Sequence, residues 1–210
     1  MPLICPTITA YDLDDYNRQL SSVMALSKRI HIDIMDNIFT SVNSVNLSDL
    51  NFPKAEYKID LHLMLSSPME YITKLIELKP NLVIVHSEAN VPWLEFCNKL
   101  HDHGILAGLS LLSETSVSSV RDIINNFDHV LIFSGFLGHF GGQADLKLLD
   151  KVTELKQYFP KIEVGWDGGI NDVNINVLAQ AGVDVLDVGS FISQAVNPVS
   201  AYGKLKTIIQ

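Results

Sequence analysis

The chain has 210 residues, 47% of them hydrophobic, and a formal net charge of −9. That content is enough to bury one substantial core without disulfides, so a single domain over 1–210 is expected. The acidic balance excludes a nucleic-acid or anionic-membrane surface, because both partners would be repelled.

Cys5 and Cys97 are the only cysteines, which argues against a disulfide framework and for a reducing, cytoplasmic setting. The opening M-P-L-I-C-P-T-I-T-A-Y-D-L lacks the basic head and apolar run of a signal peptide. No stretch is long and apolar enough to suggest a membrane span.

From one end to the other, short apolar runs alternate with longer amphipathic segments. That is the pattern of a parallel sheet with helices outside it. The predicted strands are Leu3 to Thr7, Ile30 to Met35, Tyr57 to Met64, Leu82 to His86, Leu106 to Leu111, Val130 to Phe133, Ile162 to Trp166 and Val183 to Val188. Helices are predicted over Asp14 to Lys28, Pro68 to Leu78, Pro92 to His101, Val117 to Asn126, Asp145 to Tyr158 and Val173 to Ala181, with a weak one over Asn46 to Leu50. Eight strands in so short a chain favour closure into a single (β/α)8 TIM barrel over an open doubly wound sheet.

Side chains two apart on a barrel strand share a direction, which separates lumen groups from packing. In R-I-H-I-D-I-M-D, His31, Asp33 and Met35 oppose the three isoleucines. In K-I-D-L-H-L-M, Asp60, His62 and Met64 share a face, and in K-I-E-V-G-W-D, Glu163, Gly165 and Asp167 do. Barrel enzymes place their active sites at the C-terminal strand ends, where imidazole and carboxylate can hold a divalent transition metal. His31, Asp33, His62 and Asp167 are the candidate ligands. A lone buried histidine is more often a hydrogen-bonded core residue, but four polar groups in phase weaken that reading. Two buried carboxylates also repel each other unless a cation joins them.

Five motifs carry a resemblance: H-I-D-I-M-D at 31–36, D-L-H-L-M-L-S-S-P at 60–68, I-V-H-S-E-A at 84–89, F-G-G-Q at 140–143 and W-D-G-G-I at 166–170. P-T-I-T-A near the start and V-G-S near residue 189 extend it. In order and spacing they resemble the ribulose-phosphate 3-epimerase family, whose fold is a barrel of the ribulose-phosphate-binding type. The resemblance implies proton exchange at C3 of D-ribulose 5-phosphate, giving D-xylulose 5-phosphate through an enediolate, a step of the pentose phosphate pathway. Asp33 and Asp167 would act as the acid/base pair on opposite faces of the substrate. One divalent metal ion (Zn, Fe, Mn or Co) would stabilise the developing negative charge.

Thr7 stands where the family usually has serine. With Met35, Met64 and His86 it would face the substrate, although lumen methionines are also routine core filler. Gly141 and Gly142, Gly168 and Gly169, and Gly189 with Ser190 match the family's phosphate-binding loops, where backbone N–H groups meet the anion. The expected ligand is therefore a small sugar phosphate, and self-association into a homo-oligomer is expected by analogy.

The pattern departs from the family in two loops. After the second-strand motif the chain reads N-I-F-T-S-V-N at 37–43 where the family usually has G-H-F-V-P-N, and L-G-H-F-G-G-Q at 137–143 replaces E-P-G-F-G-G-Q. His139 thus occupies a glycine position near the phosphate. These changes keep open an epimerase of a hexulose phosphate such as D-allulose 6-phosphate, or a non-catalytic sugar-phosphate binder. An aldolase would need a lumen lysine, and Lys58 lies at the wrong end of its strand for that role. A decarboxylase would want a Lys/Asp cluster that the sequence lacks. His101 and His103 read as helix-end residues favouring the C-terminal dipole, and His129 carries no specific signal.

Overall fold

The structure, a computed structural model, describes residues 1–53, 56–139 and 141–210. Phe140, the first residue of the F-G-G-Q motif, lies outside the described residues. Among the described residues the strands run β1 (Leu3–Thr9), β2 (Arg29–Met35), β3 (Lys58–Met64), β4 (Leu82–His86), β5 (Leu106–Leu111), β6 (His129–Phe133), β7 (Glu163–Asp167) and β8 (Val185–Val188). All pair in parallel and in sequence order, and β8 returns to β1 to close the barrel. The closed TIM barrel expected from the alternating pattern is therefore present.

The outer helices are α1 (Leu13–Met24), α2 (Ile72–Leu78), α3 (Trp93–His101), α4 (Arg121–Ile124), α5 (Leu149–Tyr158), α6 (Ile175–Gln180), α7 (Ser190–Ser193) and α8 (Pro198–Ile208). Several begin with a tighter 3-10 turn, as at Pro68–Tyr71, Val117–Val120 and Leu146–Leu148, and Leu47–Asp49 is an isolated one. The periodicity had merged these turns with the helices that follow, because i+3 and i+4 spacing look alike over a single turn. Helices α7 and α8 were absent from the sequence expectation. Asn197 caps α8 by accepting from Ser200 N, with Pro198 in the first turn, a start signal that the weak amphipathicity of the segment concealed. No helix among the described residues is long and apolar enough to cross a membrane.

Alternation divides the packing as the strands predict. Ile30, Ile32, Ile34, Ile59, Leu61, Leu63 and Trp166 lie in the layer between barrel and helices, all at 3% exposure or less. Each such side chain stabilises the fold by roughly 1.5–3 kcal/mol through burial. Inside the barrel, Leu82, Ile84 and Leu131 form one apolar cluster, and Met35, Met64 and Phe133 form another.

The N-terminal end of the lumen carries its own ion network. Arg29 donates through Nη1 and Nη2 to both Glu163 oxygens at 2.8 and 2.7 Å, and through Nε to Asp60. Asn81 donates to the other Asp60 oxygen at 2.9 Å. His129 is buried against Glu163, with its Nδ1 2.8 Å from Oε2. Gly165 makes room for that ring: a Cβ there would overlap His129 Nε2. At the end of α3, His103 Nδ1 donates to the Lys99 carbonyl at 2.9 Å, whereas His101 turns outward to Asp128 at 2.8 Å.

Candidate functional site

Strand register places the candidate ligands side by side. Asp33 pairs with His62 across β2 and β3, and with Thr9 across β1 and β2. Asp33 Oδ1 lies 3.2 Å from His31 Nε2 and 3.0 Å from His62 Nδ1. Its Oδ2 accepts from the Thr9 hydroxyl at 2.6 Å. Asp167, last in β7, brings Oδ2 to 3.8 Å from the same His62 Nδ1. One donor atom from each of His31, Asp33, His62 and Asp167 falls within 4.8 Å of all the others.

This donor set could hold a divalent ion. Two carboxylates sit together with their charges uncompensated by Arg29, which is committed to Asp60 and Glu163 at the far end of the barrel. A dication beside two imidazole nitrogens and two carboxylate oxygens would offset both the repulsion and the desolvation.

The outward nitrogens of both histidines also meet polar partners. His62 Nε2 lies 2.9 Å from His86 Nε2, and His86 Nδ1 faces Glu88 Oε2 at 3.5 Å. His31 Nδ1 faces Asp187 Oδ1 at 3.3 Å.

These surroundings separate the proton affinities. Burial works to raise the Asp33 carboxyl, but hydrogen bonds from His31 and His62 outweigh it and hold Asp33 below the usual carboxylate range. Asp167 goes the other way, pushed well up by burial and then by the negative charge of Asp33. Burial lowers the His62 imidazole to about 4 and lowers His86 too. For His31 the desolvation is overcome, chiefly by Asp187, and the imidazole is raised. Two neighbouring carboxylates with opposed proton affinities is the arrangement an acid/base pair needs.

Above the four donors opens a partly enclosed cavity. Of the residues singled out from the sequence, Thr7, Asp33, Met35, Met64, Gly141, Asp167, Gly168, Gly169, Gly189 and Ser190 line it. His31, His62 and His86 lie beneath that surface, fully buried, and Gly142 is not part of the lining. Gly168 (φ +110°) and Gly169 (φ +70°) need their freedom: a Cβ on either would overlap backbone, of Gly135 and of Gln143–Ala144 respectively.

The two divergent loops meet over the mouth. Asp36 organises the first, accepting from Ile38 N at 3.0 Å and from Ser66 N at 2.8 Å. Val42 from this loop and Leu137 from the loop after β6 both pack on the Met35–Met64–Phe133 cluster. His139 lines the cavity.

Three polar residues of the site escaped the sequence reading. Thr9 is in phase with Thr7 on β1, and Glu88 sits two residues past His86. Asp187 interrupts V-L-D-V at a lumen position, at 2% exposure, and that lone carboxylate in an apolar strand was the available signal.

Residues 3–193 match the sequence pattern of the Ribulose-phosphate 3 epimerase family. The chain belongs to that family.

Ribulose-phosphate 3-epimerase of Schizosaccharomyces pombe is 27% identical over 98% of this chain and 93% of its own length. The Aquifex aeolicus enzyme of the same name is 29% identical over 100% and 97%, and that of Mycobacterium leprae 30% over 98% and 94%. Relatives of this family are thus isomerase-class enzymes. Among solved structures, 3-hexulose-6-phosphate synthase from Salmonella typhimurium superposes with a TM-score of 0.77 at 16% identity, covering 100% of this chain and 98% of that one. KGPDC from Streptococcus mutans gives 0.76 at 13%, covering 99% and 97%. At such identities these two likenesses speak for the barrel alone.

Proposed function

We propose that this family member is a metal-dependent 3-epimerase of a ketose phosphate, interconverting D-ribulose 5-phosphate and D-xylulose 5-phosphate. The observation that carries the reading is the Asp33–Asp167 pair at the floor of the cavity, with opposite displacements of proton affinity and His62 Nδ1 between them. The ionised member removes the C3 proton from one face of the substrate. The protonated member returns one to the other face, which inverts the centre.

His31, Asp33, His62 and Asp167 would hold the ion, which could be Zn, Fe, Mn or Co. When bound, it supplies Lewis-acid stabilisation of the negative charge that develops beside the C2 carbonyl. Met35 and Met64, with Phe133, cover the reacting carbons with apolar surface that excludes water. Thr7 offers a hydroxyl to the sugar, and His86 supports His62 from beneath. Backbone N–H groups at Gly141, Gly168, Gly169, Gly189 and Ser190 bind the phosphate, with Gly142 shaping the loop beside them.

His139 on the cavity wall favours a second reading, in which a longer hexulose phosphate such as D-allulose 6-phosphate is the substrate. Epimerisation of pentulose and hexulose phosphates by the metal-loaded protein, followed in D2O by deuterium incorporation at C3, tests both. Exchange with neither sugar class would leave only a sugar-phosphate binder. Homo-oligomeric assembly and a cytoplasmic location are part of the same proposal, and light scattering of the purified chain tests the first.

A further inference from the structure

Asp187 is 2% exposed, and neither of its oxygens has a well-aligned hydrogen bond among the described residues. Its register partners are Cys5 on β1 and Asp167 on β7, which bring no positive charge. A desolvated carboxylate is destabilising unless a donor faces it, so its place on a lumen position calls for a partner. The basic group beside it is His31, whose Nδ1 lies 3.3 Å from Asp187 Oδ1 and likewise has no well-aligned hydrogen bond among the described residues. The other nitrogen of that ring, Nε2, faces Asp33 and the four-donor group.

We infer that Asp187 is a positioning residue: it accepts the Nδ1–H of His31 and so fixes the tautomer whose Nε2 lone pair points at the candidate metal centre. This rests on the metal reading proposed above and adds a residue outside the four donors. An imidazole presents one nitrogen as donor and the other as acceptor, so a carboxylate at Nδ1 decides what Nε2 can do. The same bond anchors the ring plane and raises the basicity of the ligating nitrogen. Asp187 stands on the other edge of the ring from Asp33, which makes it the outer partner of His31 and not a fifth donor. His62 is built the same way, with His86 on its outward nitrogen.

The test compares the unchanged chain with Asp187→Asn and Asp187→Val. Asn keeps an acceptor oxygen and the shape but loses the charge, whereas Val removes both. Zinc affinity is measured by chelator competition, and the melting temperature of the metal-free protein is measured in parallel. The expected order of affinity is unchanged chain, then Asn, then Val, with Val weakened roughly 10- to 100-fold. In the metal-free Val variant the stranded His31 N–H offsets the relief of no longer burying a carboxylate, so the melting temperature is expected to change little. In the zinc-loaded unchanged chain, 15N NMR should show a slowly exchanging Nδ1 proton on His31, and Val should lose it.

Zinc affinity unaltered in both variants overturns the inference and leaves the metal reading standing. Weaker zinc binding accompanied by an equal fall in metal-free stability also overturns it, since that is a packing effect. Failure of the unchanged chain to bind zinc, cobalt or manganese overturns both.

Discussion

The Nε2 atoms of His62 and His86 lie 2.9 Å apart in the buried floor of the cavity. Only one of two facing nitrogens can carry the proton, so the contact fixes a direction. If His62 Nδ1 is to offer its lone pair to an ion held with Asp33 and Asp167, its Nε2 must be the donor and His86 the acceptor. His86 then carries its own proton on Nδ1, on the side of Glu88. His86→Leu should strand a buried N–H, at a cost of about 1–3 kcal/mol. Metal affinity should fall roughly 10- to 100-fold, as equilibrium dialysis would report. Unchanged affinity would show that His86 does no more than fill space.

The opposed proton affinities of Asp33 and Asp167 lead to a symmetrical expectation for activity. Asp33→Asn and Asp167→Asn should each reduce kcat by about 10²–10⁴-fold, the usual contribution of a positioned acid or base. A single-turnover experiment in D2O separates the two: whichever aspartate serves one epimer as base should abolish exchange from that epimer first. Near-full turnover in either variant would remove that residue from the pair.

Gly169→Ala tests the loop that follows β7. At φ +70° an alanine carries about 1 kcal/mol of backbone strain, and its Cβ would overlap the Gln143–Ala144 backbone. The expected outcome is a loss of more than about 2 kcal/mol in denaturant unfolding, with a rise in KM for the sugar phosphate as Gly141 and its neighbours shift. An unchanged KM would detach this loop from phosphate binding.

The network at the opposite end of the barrel should shape the acid limb of stability. Burial alone would raise Glu163, but hydrogen bonds from Arg29 and His129 overcome it and hold the carboxyl well below its ordinary 4.5. A depressed carboxylate contributes stability that is fully present above the unfolded value and is lost as pH falls through the folded one. Urea midpoints should therefore decline from about pH 5 downward, and less steeply in Glu163→Gln. At pH 7 that variant should lose about 2 kcal/mol, below the 3–5 of a fully buried pair, because the Glu163 side chain is 37% exposed.

Neither cysteine should be reactive in the native state. Burial raises the Cys97 thiol to about 12, and burial together with Asp187 raises Cys5 as well. At pH 8 the thiolate fraction of Cys97 is then on the order of 10⁻⁴. Iodoacetamide labelling followed by mass spectrometry should find both thiols unmodified until denaturant is added.

The sequence by itself determined the phase of β2, β3 and β7. Period-2 alternation needs only the chain's own order, so it already set the isoleucines of β2 against His31, Asp33 and Met35, and Trp166 against Asp167. It also announced eight strands alternating with helical segments, and hence the barrel. It could not announce α8, where the capping residue is clear and the amphipathic stripe is faint. What alternation leaves open is which strands become neighbours and how far each is offset along the axis. Only closure of the barrel decided that β8 returns to β1, bringing Asp187 within 3.3 Å of His31, and that Arg29 reaches across the lumen to Glu163. The same closure made two rewritten loops, unremarkable in the sequence as partners, into one apolar cover over Met35, Met64 and Phe133. A side chain's direction is a local property of the backbone, whereas its partners depend on the shear and circumference of the closed sheet.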